Sequence, residues 1–387
     1  MTNHTSIELL SKLIGFDTTS RNSNLPLIEF IENYLAGYGV KSLRVDYEAD
    51  KKTNLYATIG PDIAGGIVLS GHTDVVPVDG QDWTSDAFKM REQDGLLFGR
   101  GTADMKGFIA VALAMVPRFL AADLKKPIHF SFSCDEEVGC NGVRPLINHI
   151  KDQLPLPGAV IVGEPSSMQV INAHKGSCSF VTEVTGHEAH SSLPNLGVNA
   201  IMYAGRVISK LHEIAEDLKA AGDPSGRFNP PFTTLSIGLI EGGTAKNIIP
   251  KTCKIDWETR LLPDADRHAV PDRLDAFSEG LKAEMHQVSE DAGIMTECTN
   301  WVPGLQPQIG SPAESLALHC AAANGVETVS YGTEAGLFQE AGIPAIICGP
   351  GSIEQAHKPD EFIAISELEL CEQFMVRLSE HCEEAPV

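Results

Sequence analysis

The chain has 387 residues, with 29 Lys and Arg against 52 Asp and Glu, so its formal net charge at pH 7 is −23. Because nucleic acids and anionic membranes both attract basic faces, this charge argues against either as the main partner. A hydrophobic content of 43% with 21% charged residues is typical of folded globular proteins, and the length predicts two or three domains.

The N-terminal segment and the cysteines both favour a cytoplasmic protein. Residues 1–8 are polar and lack the basic start and apolar stretch of a signal peptide. The longest apolar run, at 108–116, is too short to span a bilayer. The nine cysteines lie between Cys134 and Cys382 without a CxxC pair, which fits a reducing compartment better than a disulfide framework.

Through the first half of the chain, short apolar runs alternate with patterns typical of helices. The apolar runs predict buried strands at residues 55–59, 67–71, 128–134 and 159–163. Helical patterns lie at 25–38, 105–120 and 143–151. The alternation resumes near the C-terminus with a helix at 311–324, a strand at 345–348 and a helix at 366–379. This order predicts an α/β fold, with a mostly parallel sheet and helices on both faces.

Residues 178–299 have a different rhythm. Alternating patterns predict half-buried strands at 179–185, 235–241 and 252–260. Amphipathic spacing predicts helices at 199–218 and 272–288, on either side of a Gly/Pro-rich loop. We therefore predict an α+β domain at 178–299, with a mostly antiparallel sheet and two helices on one face. This domain is inserted into a larger one formed by residues 1–177 and 300–387.

Acidic and imidazole side chains follow three of the predicted strands. His72 and Asp74 come directly after the strand at 67–71, the pair Glu136–Glu137 follows the strand at 128–134, and Glu164 follows the next strand. Because ligands in open α/β sheets collect at the carboxyl ends of strands, we expect these side chains to converge on one edge. Burial of two neighbouring glutamates is costly without a cation, and a bound metal ion would supply it.

A glycine-rich segment at 99–107 opens a predicted helix and contains Asp104. Glycine-rich loops before helices can bind phosphate, so a nucleotide site must be considered. The segment matches neither GxGxxG nor GxxxxGK[ST], and an acidic residue there would repel phosphate. Taken singly, Asp104 could be a helix N-cap and His72 a structural histidine. The placement of all these groups together favours a metal site.

Five segments occur in an order and spacing that resemble one known family. They are GHTDVVPV at 71–78, GRGTADMKG at 99–107, DEEVG at 135–139, GEPS at 163–166 and QAHKPDEF at 355–362. The chain resembles, over essentially its whole length, the co-catalytic dinuclear zinc amidohydrolases and peptidases. That family includes acetylornithine deacetylases, succinyl-diaminopimelate desuccinylases, aminoacylases and glutamate carboxypeptidases.

The resemblance implies a centre of two divalent metal ions, zinc or alternatively cobalt. It implies that Asp104 bridges both ions, that His72 and Glu164 complete the shell of the first, and that Glu137 and His357 complete the shell of the second. Nitrogen and oxygen donors of this kind suit zinc, cobalt or manganese. A shared carboxylate implies metals ~3.5–4 Å apart, with a bridging hydroxide as the nucleophile.

The same resemblance assigns roles to residues that do not bind the metals. Glu136 would be the general base, which takes a proton from the water and passes it to the leaving amine. Asp74 would orient the His72 imidazole and set its tautomer. His190, in the inserted domain, would stabilise the oxyanion in the active site of a partner subunit. The domain at 178–299 is therefore expected to act as a lid and to form a homodimer.

Substrate contacts are implied at two further positions of the insert. Asn247 and Arg260 resemble the residues that bind the substrate carboxylate, and an arginine suits bidentate recognition of a carboxylate. Without the resemblance, a surface salt bridge would be the simpler interpretation of Arg260. The implied partner is a small N-acyl amino acid.

Two segments, at 331–336 and 348–357, resemble the acetylornithine deacetylases within this family. The implied reaction is hydrolysis of N2-acetyl-L-ornithine to L-ornithine and acetate, a step of arginine biosynthesis. The same ligand set could serve a succinyl-diaminopimelate desuccinylase, another N-acyl amino-acid hydrolase or a dipeptidase. A metal-binding scaffold without activity also stays open, although Glu136 would then have little structural use.

Overall fold

The computed structural model describes residues 4–48 and 51–384. The chain forms two compact units. The first contains the described residues up to Ala173, residues 305–328 and the described residues from Thr333 onward; the second contains residues 174–304 and 329–332. None of the described helices combines the length and the apolar character needed to span a membrane.

The secondary structure consists of the following elements in chain order. The helices are α1 (Ser6–Ile14), α2 (Leu25–Gly37), α3 (Gly107–Ala114), α4 (Val116–Ala121), α5 (Val143–Gln153), α6 (Ala200–Ala221), α7 (Ala269–Met285), α8 (Pro312–Ala321), α9 (Ala335–Glu340) and α10 (Ile365–Glu383). The strands are β1 (Ser42–Glu48), β2 (Lys52–Ile59), β3 (Ile67–His72), β4 (Arg91–Gln93), β5 (Leu96–Phe98), β6 (Ile128–Ser133), β7 (Ala159–Pro165), β8 (Ile171–His174), β9 (Gly176–Thr185), β10 (Thr234–Gly242), β11 (Thr252–Leu261), β12 (Gly293–Val302), β13 (Glu327–Val329), β14 (Ala345–Gly349) and β15 (Phe362–Ala364). Two short non-α turns lie at Thr102–Lys106 and Pro194–Leu196.

The large sheet has the strand order β1-β2-β6-β3-β7-β14-β8-β13. Its four central strands, β6, β3, β7 and β14, run parallel, whereas β1, β2 and β8 pair antiparallel with their neighbours. The main core contains Ile67 and Leu69 of β3 together with residues of α1, α2, α3, α8 and α10. Val68 points to the opposite face, where α5 and α9 contact the sheet. The predicted α/β fold is confirmed.

The helix predicted at 105–120 is interrupted. The segment Thr102–Lys106 is a kinked turn whose backbone is non-helical at Asp104 and Met105, and the α-helical part then stops after Ala114 and restarts at Val116. Pro117 explains the second break, because it has no N–H to donate to the carbonyl of Leu113. The Oη of Tyr34 donates a hydrogen bond to that carbonyl instead, at 3.1 Å.

The second unit contains a four-stranded antiparallel sheet in the order β10-β11-β9-β12. Side chains alternate along β11, so that Cys253, Ile255 and Trp257 are buried in a core shared with α6 and α7. Asp256 and Glu258 lie on the other face. β10 is an edge strand, and most of its residues are exposed.

Several elements were not predicted, and most of them are short. The small antiparallel sheet β15-β5-β4 consists of strands of three residues, which are too short to show a period. β12 carries exposed and polar residues along much of its length, so its apolar alternation is weak. α1 begins with a capping box between Thr5 and Glu8, a recognisable start signal.

Candidate metal centre

The predicted ligands come together at one edge of the parallel strands. β3 ends at His72, Glu164 lies near the end of β7, and Glu136 and Glu137 follow β6 after a short turn. His357 lies in the segment after β14. Parallel order places the carboxyl ends of these strands side by side, which is why residues distant in sequence meet there.

Asp104 lies between the two histidines. The Nε2 of His72 is 2.9 Å from Oδ1 of Asp104 and 3.7 Å from Oε1 of Glu164. The Nε2 of His357 is 3.4 Å from Oδ2 of Asp104 and 3.1 Å from Oε2 of Glu137. The two carboxylate oxygens of Asp104 therefore face different imidazoles, as expected of a residue that binds two ions.

Glu136 belongs to the same cluster. Ligand atoms of His72, Glu136 and Glu164 lie within 4.8 Å of one another, and so do those of His72, Asp104 and Glu137. The Oε1 of Glu136 accepts a hydrogen bond from the thiol of Cys140 at 3.1 Å. This contact leaves the other carboxylate oxygen of Glu136 available for proton transfer.

Asp74 contacts the cluster differently from the prediction. The Nδ1 of His72 lies 2.9 Å from the backbone carbonyl oxygen of Asp74 but 3.7 Å from its carboxylate. The backbone carbonyl, not the carboxylate, therefore sets the His72 tautomer, because Nδ1 must donate to it. The Asp74 carboxylate instead accepts hydrogen bonds from the backbone N–H groups of Glu136 and Glu137 and from the Ser20 hydroxyl.

Burial and mutual repulsion dominate the electrostatics of the carboxylates. Burial raises the pKa of Glu136 to about 8 and the pKa of Glu137 to about 7, and the charge of Asp104 adds to the shift at Glu137. Burial and the same charge raise the pKa of Glu164 well above its usual range. Hydrogen bonds to Asp104 and Glu137 raise the pKa of His357 to about 10. At neutral pH the cluster therefore retains protons that a divalent cation would displace.

The residues fit a pair of metal ions. Two buried carboxylate oxygens, Oε1 of Glu137 and Oε1 of Glu164, accept no hydrogen bond from any residue that the structure describes. An unsatisfied buried carboxylate oxygen is costly unless a cation faces it. The donor set of carboxylate oxygens and imidazole nitrogens suits zinc or a similar divalent ion.

The three site residues predicted in the insert lie in the second unit. His190 is exposed, pairs with Ile248 in an isolated β-bridge, and its Nδ1 lies 2.7 Å from the hydroxyl of Ser192. The backbone carbonyl of Asn247 accepts a hydrogen bond from the N–H of Ser191, so the loops of His190 and Asn247 are neighbours.

Arg260 projects from β11 and is already paired. Its Nε and Nη2 donate to the two carboxylate oxygens of Glu258 at 3.2 and 3.0 Å. Both side chains are more than one-third exposed. This is the surface salt bridge that was the simpler interpretation of Arg260 from sequence, and a substrate carboxylate would have to exchange with Glu258.

Supporting residues around the cluster were missed at the sequence level. Arg100 and Glu361 form a buried ion pair beside the loop of Asp104, and Gln81 contacts both Arg100 and His357. Arg100 lies in the segment GRGTADMKG and Glu361 in QAHKPDEF. The motifs were therefore visible, but nothing in them indicated that the two side chains meet.

Comparison with known proteins identifies the family. Residues 68–381 match the profile of Peptidase family M20/M25/M40. The chain is 35% identical to an acetylornithine deacetylase of Myxococcus xanthus over 384 residues, which cover 96% of each chain. It is 34% identical to an acetylornithine deacetylase of Pasteurella multocida (strain Pm70), again over 96% of both.

Solved structures share the fold at lower identity. The aminopeptidase PepT of Bacillus cereus ATCC 10987 superposes with a TM-score of 0.76 at 20% identity and covers 99% of this chain and 100% of its own. The Bacillus subtilis YXEP protein, described as a dinuclear metal-binding peptidase, gives a TM-score of 0.67 at 19% identity, over 97% of this chain and 96% of its own. The profile match and the curated relatives together show that the chain is a hydrolase of peptidase family M20/M25/M40.

Proposed function

We propose that this protein hydrolyses N2-acetyl-L-ornithine to L-ornithine and acetate. The observation that carries the proposal is the convergence of His72, Asp104, Glu137, Glu164 and His357 at one sheet edge, in a chain about one-third identical to proteins named acetylornithine deacetylase. The reaction breaks an amide bond, and the cluster has the groups that such a hydrolysis needs.

The cofactor in this proposal is a pair of zinc ions, for which cobalt could substitute. His72, Glu164 and Asp104 would hold one ion, and Asp104, Glu137 and His357 would hold the other. When bound, divalent cations supply Lewis acidity toward the scissile carbonyl and the attacking water. The protein must keep the ligand oxygens dry and in place, and the burial of Glu137 and Glu164 serves this purpose.

Glu136 moves the proton. It lies next to a ligand, and the Cys140 thiol holds one of its oxygens at 3.1 Å. Burial raises its pKa to about 8, so its carboxylate has a much higher proton affinity than an exposed glutamate. In the proposed reaction it takes a proton from the attacking water and delivers it to the leaving amine, as a general base and then a general acid.

A homodimer through residues 178–299, which would also act as a lid, is part of the proposal. Among the described strands, β10 pairs with β11 alone and so lies at the edge of its sheet, and its Leu239 and Ile240 are 63% and 52% exposed. Met202, near the start of α6, is 71% exposed. An unpaired strand edge with exposed apolar side chains can pair with a second copy around a two-fold axis. In that dimer, His190 would serve as an oxyanion donor in the partner's site.

Asn247 and Arg260 would bind the substrate carboxylate. The exposed Glu258–Arg260 pair supports an exchange, because partly exposed ion pairs are weak and can be replaced by a ligand carboxylate. We place the protein in the cytoplasm, within arginine biosynthesis. All nine cysteines are free thiols, which supports a reducing compartment.

An activity panel tests this function. Purified protein loaded with Zn²⁺ or Co²⁺ is assayed with N2-acetyl-L-ornithine, N-succinyl-L,L-diaminopimelate and a set of dipeptides. We expect the highest kcat/KM with acetylornithine. Faster turnover of the succinylated substrate or of a dipeptide would assign the protein a different activity of the same family. Hydrolysis of none of them by the metal-loaded protein would overturn the proposal.

A further inference from the structure

One buried carboxylate accepts four hydrogen bonds from the segment that leads to Asp104. The side chain of Glu361 is fully buried. Its Oε1 accepts from the backbone N–H groups of Ala103 and Asp104 at 2.9 and 3.1 Å. Its Oε2 accepts from the N–H of Gly101 at 3.0 Å and from Nη1 of Arg100 at 2.6 Å. Four donors on two oxygens fix the backbone at the residue that lies between the two histidines.

Gln81 extends this contact to His357. The Oε1 of Gln81 accepts from Nη2 of Arg100 at 2.7 Å and from the indole N–H of Trp83 at 3.0 Å. Its Nε2 donates to the backbone carbonyl of His357 at 2.9 Å. The two donors settle the orientation of the Gln81 amide, because reversal would place its NH₂ against both of them.

The backbone of His357 needs such support. Its φ of 63° lies in the left-handed region, which non-glycine residues adopt only when surrounding contacts hold them there. Its side chain is 54% exposed, so packing alone cannot fix the imidazole. Glu361 follows His357 by four residues. The segment 357–361 is therefore held at its start by Gln81 and at its end by Arg100.

We propose that Glu361 is a positioning residue for the metal centre. It holds the loop of the shared ligand Asp104 directly, through the backbone N–H groups of that loop, and it supports the terminal ligand His357 through Arg100 and Gln81. This inference rests on the metal centre proposed above. It assigns a role to the two motif residues, Arg100 and Glu361, that the hydrolytic reaction itself does not use.

The chemistry of the contacts predicts that glutamine cannot replace Glu361. All four of its partners are donors, so the NH₂ of an amide would face either two backbone N–H groups or an N–H group and Arg100. Glu314 provides a matched control. It is also a buried carboxylate, and it accepts from Asn172 and from the N–H of Gly310, but it belongs to no part of the cluster.

The test measures zinc affinity of the full-length chain after removal of metal. Zn²⁺ is titrated against a chromophoric chelator, and we expect two affinities in the wild type. His357→Ala identifies which of them belongs to the second ion. We expect Glu361→Gln to weaken that affinity ~10–100-fold, as is typical when a contact that orients a ligand is lost. Glu314→Gln should leave it unchanged.

A second variant keeps the test decisive if Glu361→Gln does not fold. Gln81 is only half-buried, and Gln81→Met removes the amide while keeping the length of the side chain. It should weaken the same affinity about tenfold, with the unfolding temperature of the metal-free protein unchanged. Wild-type affinity for both ions in the folded variants would overturn the role of Glu361. A wild type that binds no pair of zinc ions would instead overturn the metal centre itself.

Discussion

The Oδ1 of Asp74 accepts a hydrogen bond from the backbone N–H of Glu136 at 3.1 Å. Asp74 lies two residues after the histidine of β3, and Glu136 lies in the loop after β6. This contact joins two neighbouring strand ends, so that Asp74 holds the loop of the proposed base. A second contact, from the N–H of Glu137 to Oδ2 of Asp74, makes the arrangement bidentate.

Asp74→Asn should therefore reduce turnover, because Glu136 would no longer be held in position. The amide NH₂ would face a backbone N–H of Glu136 or Glu137 in place of an accepting oxygen. We expect kcat to fall ~10–100-fold while the tautomer of His72 is kept, because the backbone carbonyl of Asp74 is unchanged. Steady-state kinetics and metal content check this, and wild-type kcat in the variant would contradict it.

Glu136→Gln separates the base from the ligands. If Glu136 moves the proton but holds no metal ion, the variant should retain the wild-type metal content. Its kcat should fall ~10²–10⁴-fold, the range for a lost general acid–base. Glu137→Gln is the matched control, since it should lose one of the two ions. Equal metal loss in both variants would show that the two roles are confused.

His190→Ala tests the shared site. We expect the variant to keep both metal ions and the proposed dimeric state, and to lose ~10²–10³-fold in kcat, as for a missing oxyanion donor. His190 is exposed and belongs to neither group of candidate metal ligands among the described residues, so its loss should not affect metal binding.

Mixing two inactive variants makes this test sharper. A mixed dimer of His190→Ala with Glu136→Gln combines one intact Glu136 site with the intact His190 of the other chain. Activity should return in one of its two sites once subunits exchange. Exchange without recovery would mean that His190 acts within its own chain or has no catalytic role.

His129 should lower the free energy of unfolding as the pH falls. Its side chain is buried in β6, stacks on Tyr56, and burial lowers its pKa from 6.5 to about 4. The unfolded chain therefore takes up a proton below pH 6.5 that the folded chain does not, so this contribution is fully present above pH 6.5 and is lost as the pH falls toward 4.

His129→Gln removes this titration. Between pH 7.5 and pH 5 the wild type should lose about 2 kcal/mol more free energy of unfolding than the variant. Urea titrations of both proteins at the two pH values measure the difference. Identical losses would show that His129 becomes protonated in the folded protein as readily as in the unfolded chain.

The parallel strands could be predicted from the sequence because they are buried on both faces. Residues 159–163 form an apolar run bounded by Gly, and they are the first five residues of β7. The expectation that acidic groups would meet at the strand ends followed from the same topology. β1 escaped prediction, because its residues are half-buried or exposed and alternate only weakly.

The contacts that support the site could not be predicted from local patterns. Arg100 and Glu361 are 261 positions apart, and their pairing depends on how the segment after β14 returns to the loop of Asp104. The pairing of Arg260 with Glu258 is different, because it is local and is the surface salt bridge that the sequence alone favours for Arg260. The break after Ala114 depended on Pro117, a signal present in the sequence whose effect on the helix was missed.

The most direct test of the account is a crystal structure of the zinc-loaded protein with anomalous scattering recorded at the zinc edge. We predict two anomalous peaks at the sheet edge. One should lie against His72 and Glu164, the other against Glu137 and His357, with the Asp104 carboxylate contacting both. A single peak, or two peaks of which neither touches Asp104, would contradict the dinuclear centre on which the proposed hydrolysis depends.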